Sequence, residues 1–413
     1  MILTVQNLGS VQSKPDKLQA SMVHRHVVTL LRSVLVAAAL ALALPLGAAA
    51  QATGPVTATP TAQPAASSGT GPISGYMDFH VNRRQHEDPI VDFHRFVLLF
   101  SHRFSERIRF TGELELEHAL VEGLEEAGEL ELEQAYVDFL ITRGFNVRAG
   151  MMLVPIGIIN ERHEPPVFNG VERPFVDTVI VPSTWFEAGA GVHGEVGSGF
   201  RYRAFVMAPL DAADFSAEEG LRGGLQKGSE SVAHRASYTG RIEYVGLRGL
   251  QVGASFWSGA ANVSLRRLDS AVRLGEVDAR YQRGRLELRG QFAQVAIKDA
   301  AGLNESIERL TGVSPNVASG LRGFYGEVAY RIWNQGAPRD LVVFTRYENF
   351  DTQHRMPAGH LPLKEFDRDA WVTGITYYPD PDVAVKADYV RVGNRGGLFG
   401  PQHAVNLGLG WWF

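Results

Sequence analysis

Val405-Asn406-Leu407-Gly408-Leu409-Gly410-Trp411-Trp412-Phe413 sets an apolar side chain at every second position and closes on an aromatic ring. Residues two apart share a face of a β-strand. Val405, Leu407, Leu409, Trp411 and Phe413 therefore form one apolar stripe, while Asn406, Gly408, Gly410 and Trp412 face the other way. One face suits lipid and the other tolerates water. The stripe predicts the closing strand of a transmembrane β-barrel with its last ring at a membrane interface, and makes Phe413 the expected handle for barrel-assembly machinery.

The other end of the chain points to export. From Met22, a basic stretch with His24, Arg25, His26 and Arg32 leads into an apolar run from Val34 to Leu44, followed by Pro45 and Ala48-Ala49-Ala50. This is the pattern of a signal peptide; it predicts cleavage after Ala50 and a mature chain from Gln51. The apolar run is too short to cross a bilayer as a helix. Residues 1–21 resemble neither a signal nor a folded element, so Met22 is the expected start. The expected organisation is residues 1–50 as extension and signal, 51–72 as an uncharged Ala/Thr/Pro/Ser/Gly linker, and 73–413 as the barrel, in a bacterial outer membrane.

Composition agrees. After the signal, no run of eighteen apolar residues appears among 413 residues that are 45% apolar, so membrane-spanning helices are not expected. A closed barrel satisfies every backbone donor and acceptor in hydrocarbon, and its alternating faces explain a mean hydropathy of −0.08. The absence of cysteine fits an oxidising compartment without disulfides. A formal charge of −5 leaves no basic excess to attract nucleic acid.

Sixteen alternating segments are predicted, at 73–82, 91–101, 105–117, 129–141, 145–153, 185–195, 199–208, 236–245, 249–258, 273–282, 285–297, 321–332, 340–350, 369–378, 382–392 and 403–413. Tight turns such as Arg143-Gly144, Gly197-Ser198 and Arg283-Gly284 alternate with long connections at 118–128, 154–184, 209–235, 259–272, 298–320, 351–368 and 393–402. Short turns on one rim and long loops on the other is barrel topology, and sixteen strands enclose a water-filled lumen where eight would be plugged by their own side chains.

Charge assigns the faces. A basic side chain at the lipid midplane costs roughly 2–4 kcal/mol, so charged alternates must point inward. In 105–117, Ile108, Phe110, Leu114 and Leu116 face lipid, while Arg107, Arg109, Glu113, Glu115 and Glu117 face the lumen. The same argument puts Arg148, Arg201, Arg203, Arg241, Glu243, Arg280, Arg285, Glu287, Arg289, Glu327, Arg331, Arg346, Glu348, Lys386 and Asp388 inside. Between Glu133 and Asp138 the period slips by one, which predicts a β-bulge.

Asp92-Phe93-His94-Arg95-Phe96-Val97-Leu98, Glu131 to Asp138, Val154-Pro155-Ile156-Gly157-Ile158-Ile159-Asn160-Glu161 and the stretch from His163 through Arg173-Pro174-Phe175 to Trp185 resemble the phosphate-selective porin family of Gram-negative outer membranes. The resemblance spans Ile73 to Phe413 and is strongest over 91–195. It implies a sixteen-stranded homotrimeric barrel, a loop folded into the channel, and passive diffusion of small hydrophilic solutes or ions, often anions. The family's lysine cluster has no counterpart, since the mature chain has only Lys227, Lys298, Lys364 and Lys386.

The connection 154–184 is the expected constriction. About thirty residues is long for a connection, and its Ile156, Ile158, Ile159, Phe168, Phe175, Val179 and Ile180 argue that it packs against something. Folded inward, it would present Glu161, Arg162, His163, Glu164, Glu172 and Arg173 to the channel. Lumen charges set ion selectivity, and an arginine stripe left over after cross-strand pairing would favour anions. Arg162 and Arg173, with Arg148, Arg201, Arg203 and Arg241, are the expected steering groups, opposed by Glu161, Glu164 and Glu172.

Enzyme signals are poor. Gly189-Ala190-Gly191-Val192-His193-Gly194 matches G-x-G-x-x-G but falls inside a strand, with Phe186, Ala188, Ala190 and Val192 outward and small residues inward to make room for the loop. His86-Glu87-Asp88 and His163-Glu164 are isolated pairs without the clustered ligands of a metal centre, so neither metal nor cofactor is expected. Two other classes fit a barrel: an outer-membrane protease or lipase, and a receptor or adhesin that displays loops 209–235 and 298–320.

Overall fold

A computed structural model describes residues 73–118, 128–261, 264–265, 268–333, 339–397 and 400–413. The export signal and linker expected over 1–72 lie outside the described residues. The described residues form β1 (Ile73–Arg84), β2 (Ile90–Arg103), β3 (Ile108–Glu117), β4 (Glu129–Thr142), β5 (Phe145–Leu153), β6 (Phe186–Val196), β7 (Phe200–Met207), β8 (Ser237–Tyr244), β9 (Leu250–Ala260), β10 (Ala271–Arg283), β11 (Leu286–Ile297), β12 (Gly320–Arg331), β13 (Asp340–Arg355), β14 (Asp367–Asp380), β15 (Val383–Asn394) and β16 (Gln402–Trp412). Each strand pairs antiparallel with its sequence neighbours and β1 pairs with β16, giving a closed sixteen-stranded barrel.

The seam shows why the closing stretch has its composition. Asn406, Gly408, Gly410 and Trp412 are buried inward, while Val405, Leu407, Leu409 and Phe413 are exposed outward. Beyond the last paired residue of β16, Phe413 exchanges two backbone hydrogen bonds with Gly75, each 2.9 Å, and stacks on Phe96 of β2 with centroids 5.8 Å apart. Gly75 has to be glycine: a Cβ there would lie 2.2 Å from the Val97 carbonyl oxygen and 2.6 Å from the Phe413 ring.

The expected bulge is real. Glu113 of β3 pairs with Gln134, but the next residue, Leu114, pairs with Leu132, so Glu133 is the extra residue of β4. Both Glu133 and Gln134 are buried inward, which ordinary alternation forbids.

Three expectations change. β3 starts at Ile108 because Ser105 Oγ accepts hydrogen bonds from the backbone N–H groups of Arg107 and Ile108, folding 104–107 into a turn. β13 runs on to Arg355, shortening the 351–368 connection. The 298–320 connection contains helix α1 (Ala300–Thr311), capped by the Asp299 carboxylate on the Gly302 N–H and by Gly312 in a left-handed conformation (φ 77°).

The interior is zoned. Phe205, Met207, Trp257, Val272, Leu274, Val295 and Leu321 point inward from β7, β9, β10, β11 and β12 and form one buried apolar cluster with Val154, Ile156, Ile158, Ile159, Phe168, Val176 and Ile180 of the 154–184 connection. The inward charges of the other strands make up a second, ionic zone. The sequence marks the charged alternates as inward but does not single out the inward apolar residues, because they obey the same two-residue period as the outer face.

Deleting Phe413 removes two seam hydrogen bonds of about 1 kcal/mol each, besides the ring contact. The expected loss of about 2 kcal/mol should appear as a lower urea midpoint and a smaller heat-resistant, fast-migrating fraction on a gel.

Candidate functional site

The 154–184 connection enters the barrel from the end of β5, and its base is clamped by one side chain. Asn160 Nδ2 donates to the carbonyls of Val154 (2.7 Å) and Trp185 (2.9 Å), and its Oδ1 accepts from the Trp185 N–H (2.8 Å). Trp185 lies against Trp257 of β9 with centroids 4.5 Å apart. Gly157 then takes a left-handed conformation (φ 72°) close to Asp177 and Gln291. Gln291 of β11 accepts from the Ile158 N–H (3.0 Å) and donates to Asp177 Oδ1 (2.7 Å), while Arg280 of β10 donates to the Ile158 carbonyl (2.8 Å).

Further along, the opposite wall holds the loop by its backbone. Lys386 of β15 is buried and donates to the carbonyls of Pro165 (2.6 Å), Phe168 (2.8 Å) and Gly170 (2.7 Å), with its ammonium 4.1 Å from the Phe168 ring centre. Asp388 Oδ2 accepts from the Val171 N–H at 2.6 Å. Arg346 donates to the Asn169 carbonyl (3.2 Å), Arg289 to the Val167 carbonyl (3.1 Å), and Glu348 accepts from the Val176 N–H (3.1 Å). Phe175 stacks on Phe350 of β13 at 5.1 Å. The wall's charged groups thus replace water as partners for a buried stretch of irregular backbone.

The six expected constriction residues occupy distinct settings. Glu161 is 3.4 Å from Arg203, which also meets Glu243 at 2.7 Å. Arg162 is half-buried and makes no ion pair among the described residues. His163 and Glu164 are buried beside the β3–β4 wall, with His163 Nε2 3.2 Å from Glu133 and 3.7 Å from Glu113. Glu172 accepts from Asn82 (2.9 Å) and meets His80 at 3.2 Å. Arg173 braces the loop itself, donating to Thr184 Oγ1 (2.6 Å), Ser183 Oγ and the His163 carbonyl (both 3.3 Å).

The wall arginines are mostly paired. Arg148 makes a two-pronged contact with Asp138 (2.8 and 2.9 Å) and lies 3.8 Å over the Tyr136 ring. Arg201 meets Glu195 (3.1 Å), and Arg241 meets Glu243 (2.8 Å) and Asp278 (2.7 Å). Arg289 meets Glu287 and Glu327, and Arg331 meets Asp340. Glu113 and Glu115 are buried inward; Arg109 is half-buried on β3, whereas Arg107 sits in the exposed 104–107 turn and not on the wall. Gly189 and Gly191 face inward on β6, but what they clear is space for Met207 and Phe205 of β7 rather than for the loop, and Phe186 is buried.

Sequence reasoning placed Lys386, Asp388 and Arg346 inside without seeing that they grip the loop. Gln291 and Glu133 were missed as loop partners.

A closed sixteen-stranded barrel with a long connection folded through its interior is a porin-like barrel. No family model matches the chain. A protein of Aquifex aeolicus (strain VF5), described as "Uncharacterized protein", is 37% identical over 331 residues, which is 77% of this chain and 75% of that one. The chain belongs to the same family as that protein. Salmonella typhi OmpF in complex with daunomycin shares the fold with a TM-score of 0.55 at 11% identity, covering 83% of this chain and 97% of that one. An anion-selective porin from Comamonas acidovorans gives a TM-score of 0.51 at 13% identity, covering 83% and 98%.

Lys386→Met would leave three buried carbonyls without their donor. Each hydrogen bond to a charged group contributes about 1.5–3 kcal/mol, so a loss of several kcal/mol in loop anchoring is expected. Limited proteolysis of the folded variant should cut within 165–171, where the parent resists.

Proposed function

We propose that the chain is an exported outer-membrane porin through which small hydrophilic solutes or ions diffuse passively, narrowed by the 154–184 connection. The observation that carries this reading is that connection's path: it crosses the interior and is tied to β10, β11, β13 and β15. A barrel of this strand number encloses more space than its own wall side chains fill, so an inward loop sets its bore. The outward band of exposed Val, Leu, Ile, Phe, Tyr and Trp on the strands suits lipid. Export by a signal cleaved after Ala50, insertion by barrel-assembly machinery reading the strand that ends at Phe413, and a homotrimer supported by the family resemblance complete the proposal.

Selectivity follows from the charges that pairing leaves over. Arg280 lies close enough to Arg162 and Arg289 to feel their charge, and neither Arg162 nor Arg280 has a carboxylate in contact among the described residues. Glu113, Glu115, Glu133 and Glu164 gather on the β3–β4 side. The two groups set up a field across the constriction, with the unneutralised guanidiniums favouring anions weakly, phosphate-type anions among them.

In planar bilayers under a salt gradient, the parent protein should form stable channels with a reversal potential on the anion side. Replacing Arg162 and Arg280 together by Ala should move the permeability ratio at least about twofold toward cations. A parent that never conducts, or a double variant with unchanged selectivity, would remove this assignment.

A further inference from the structure

We infer that Glu113, Glu133 and His163 form a binding site for one divalent transition ion of the zinc type, which staples the inward loop to the β3–β4 wall. Their ligand atoms, one from each residue, all lie within 4.8 Å of one another, and all three side chains are buried.

The histidine supplies the first argument. Nδ1 of His163 faces the Asn160 carbonyl oxygen at 3.1 Å, and since a carbonyl can only accept, Nδ1 carries the proton. In the neutral ring, Nε2 then presents a lone pair. That lone pair points at carboxylate oxygens, Glu133 Oε2 at 3.2 Å and Glu113 Oε1 at 3.7 Å, and Nε2 makes no hydrogen bond. A lone pair turned toward two anions inside a protein is repulsive unless a proton or a metal cation lies between them, and a cluster that can hold either is one that a metal ion can enter by displacing the proton. Histidine zinc ligands commonly donate their other N–H to a backbone carbonyl in this way.

The carboxylates supply the second. Glu133 is fully buried, neither of its oxygens receives a hydrogen bond from a backbone, amide or hydroxyl donor, and the carboxyl beside it is that of Glu115, another acid. The bulge puts it there, adding an inward acid that regular pairing would have turned to the outer face. Glu113 is aimed by the Tyr76 hydroxyl, which donates to Oε1 at 3.3 Å, and by Gln134 Nε2, which donates to Oε2. Glu164, next along the loop, is also buried with an unpartnered Oε2 but lies outside the three-residue cluster, so the fourth position is left to water. Arg95 makes its ion pairs with Asp78, Glu115 and Glu117, and among the described residues no Lys or Arg is in direct contact with Glu113 or Glu133, although Arg95 and Arg173 lie near enough to offset part of the Glu133 charge.

Ligand chemistry sets the class of ion. One imidazole with carboxylates suits zinc, whose bonds of about 2.0–2.1 Å in a tetrahedron separate neighbouring ligand atoms by about 3.3 Å. The observed 3.2 and 3.7 Å bracket that value. A cavity of about 270 Å³ bordered by Glu117, Glu131, Glu133 and Lys227 adjoins the Glu133 side of the cluster. The inference does not depend on whether the barrel conducts.

The test uses the full chain, folded in detergent micelles without a polyhistidine tag and stripped with EDTA. Calorimetric titration with Zn²⁺ should show one ion per chain, and Co²⁺ in its place should give a visible absorption band. Glu133→Gln and His163→Asn should each weaken Zn²⁺ binding at least about tenfold. Glu305→Gln, on the exposed face of α1, should leave it unchanged. Zn²⁺ should also slow proteolysis within 154–184 of the parent. A folded parent that takes up no Zn²⁺, prefers Ca²⁺, or binds Zn²⁺ as tightly after Glu133→Gln overturns the inference. Should His163→Asn not fold, the parent titration and the Glu133→Gln variant still decide.

Discussion

Closure of the β1–β16 seam is the constraint on which everything else rests. A sheet bent into a ring has no free edge, so each strand's backbone is satisfied by its two neighbours, and side chains are left to sort by face alone. The outer face can then be apolar throughout, and the inner face becomes the sole place for charge. Closure is achieved where the backbones of Gly75 and Phe413 meet, and the two hydrogen bonds there complete the ladder.

An interior rich in fixed charge is what lets an irregular loop live inside the barrel. Irregular backbone carries donors and acceptors that no ladder satisfies. Here wall side chains supply the partners: Lys386 for the carbonyls of Pro165, Phe168 and Gly170, Asp388 and Glu348 for N–H groups, Gln291 for both a backbone group and an acid. The apolar side chains of the same loop pack where the wall is apolar, against Trp257, Val295 and Phe350. Geometry and polarity of the loop are therefore complementary to a wall built from residues up to about two hundred positions away.

The strands were legible because a two-residue period survives in a single sequence, and every one of the sixteen lies where alternation put it, with ends shifted by one or two residues in most and by more at β3 and β13. The bulge at Glu133 was visible as a slip in that period. What remained hidden depends on register between distant strands. Nothing local to Lys386 says that it faces Pro165, and nothing near His163 says that Glu113 and Glu133 await it. Helix α1 was missed although Asp299, Leu303, Ile307 and Gly312 carry cap and stripe signals, because one twelve-residue helix in a long connection is easily absorbed into the loop.

The inward course of the 154–184 connection is the claim from which bore, selectivity and ion site all descend. The chain has no cysteine, and a Cβ on Gly408 of β16 would lie 3.6 Å from Val171 Cβ, within the span of a disulfide. In a Val171→Cys, Gly408→Cys double variant, mild oxidation of the folded protein should give an intramolecular bond in nearly every chain. Two free thiols, with Cys at 171 labelled by a bulky reagent from outside the barrel, would contradict the account.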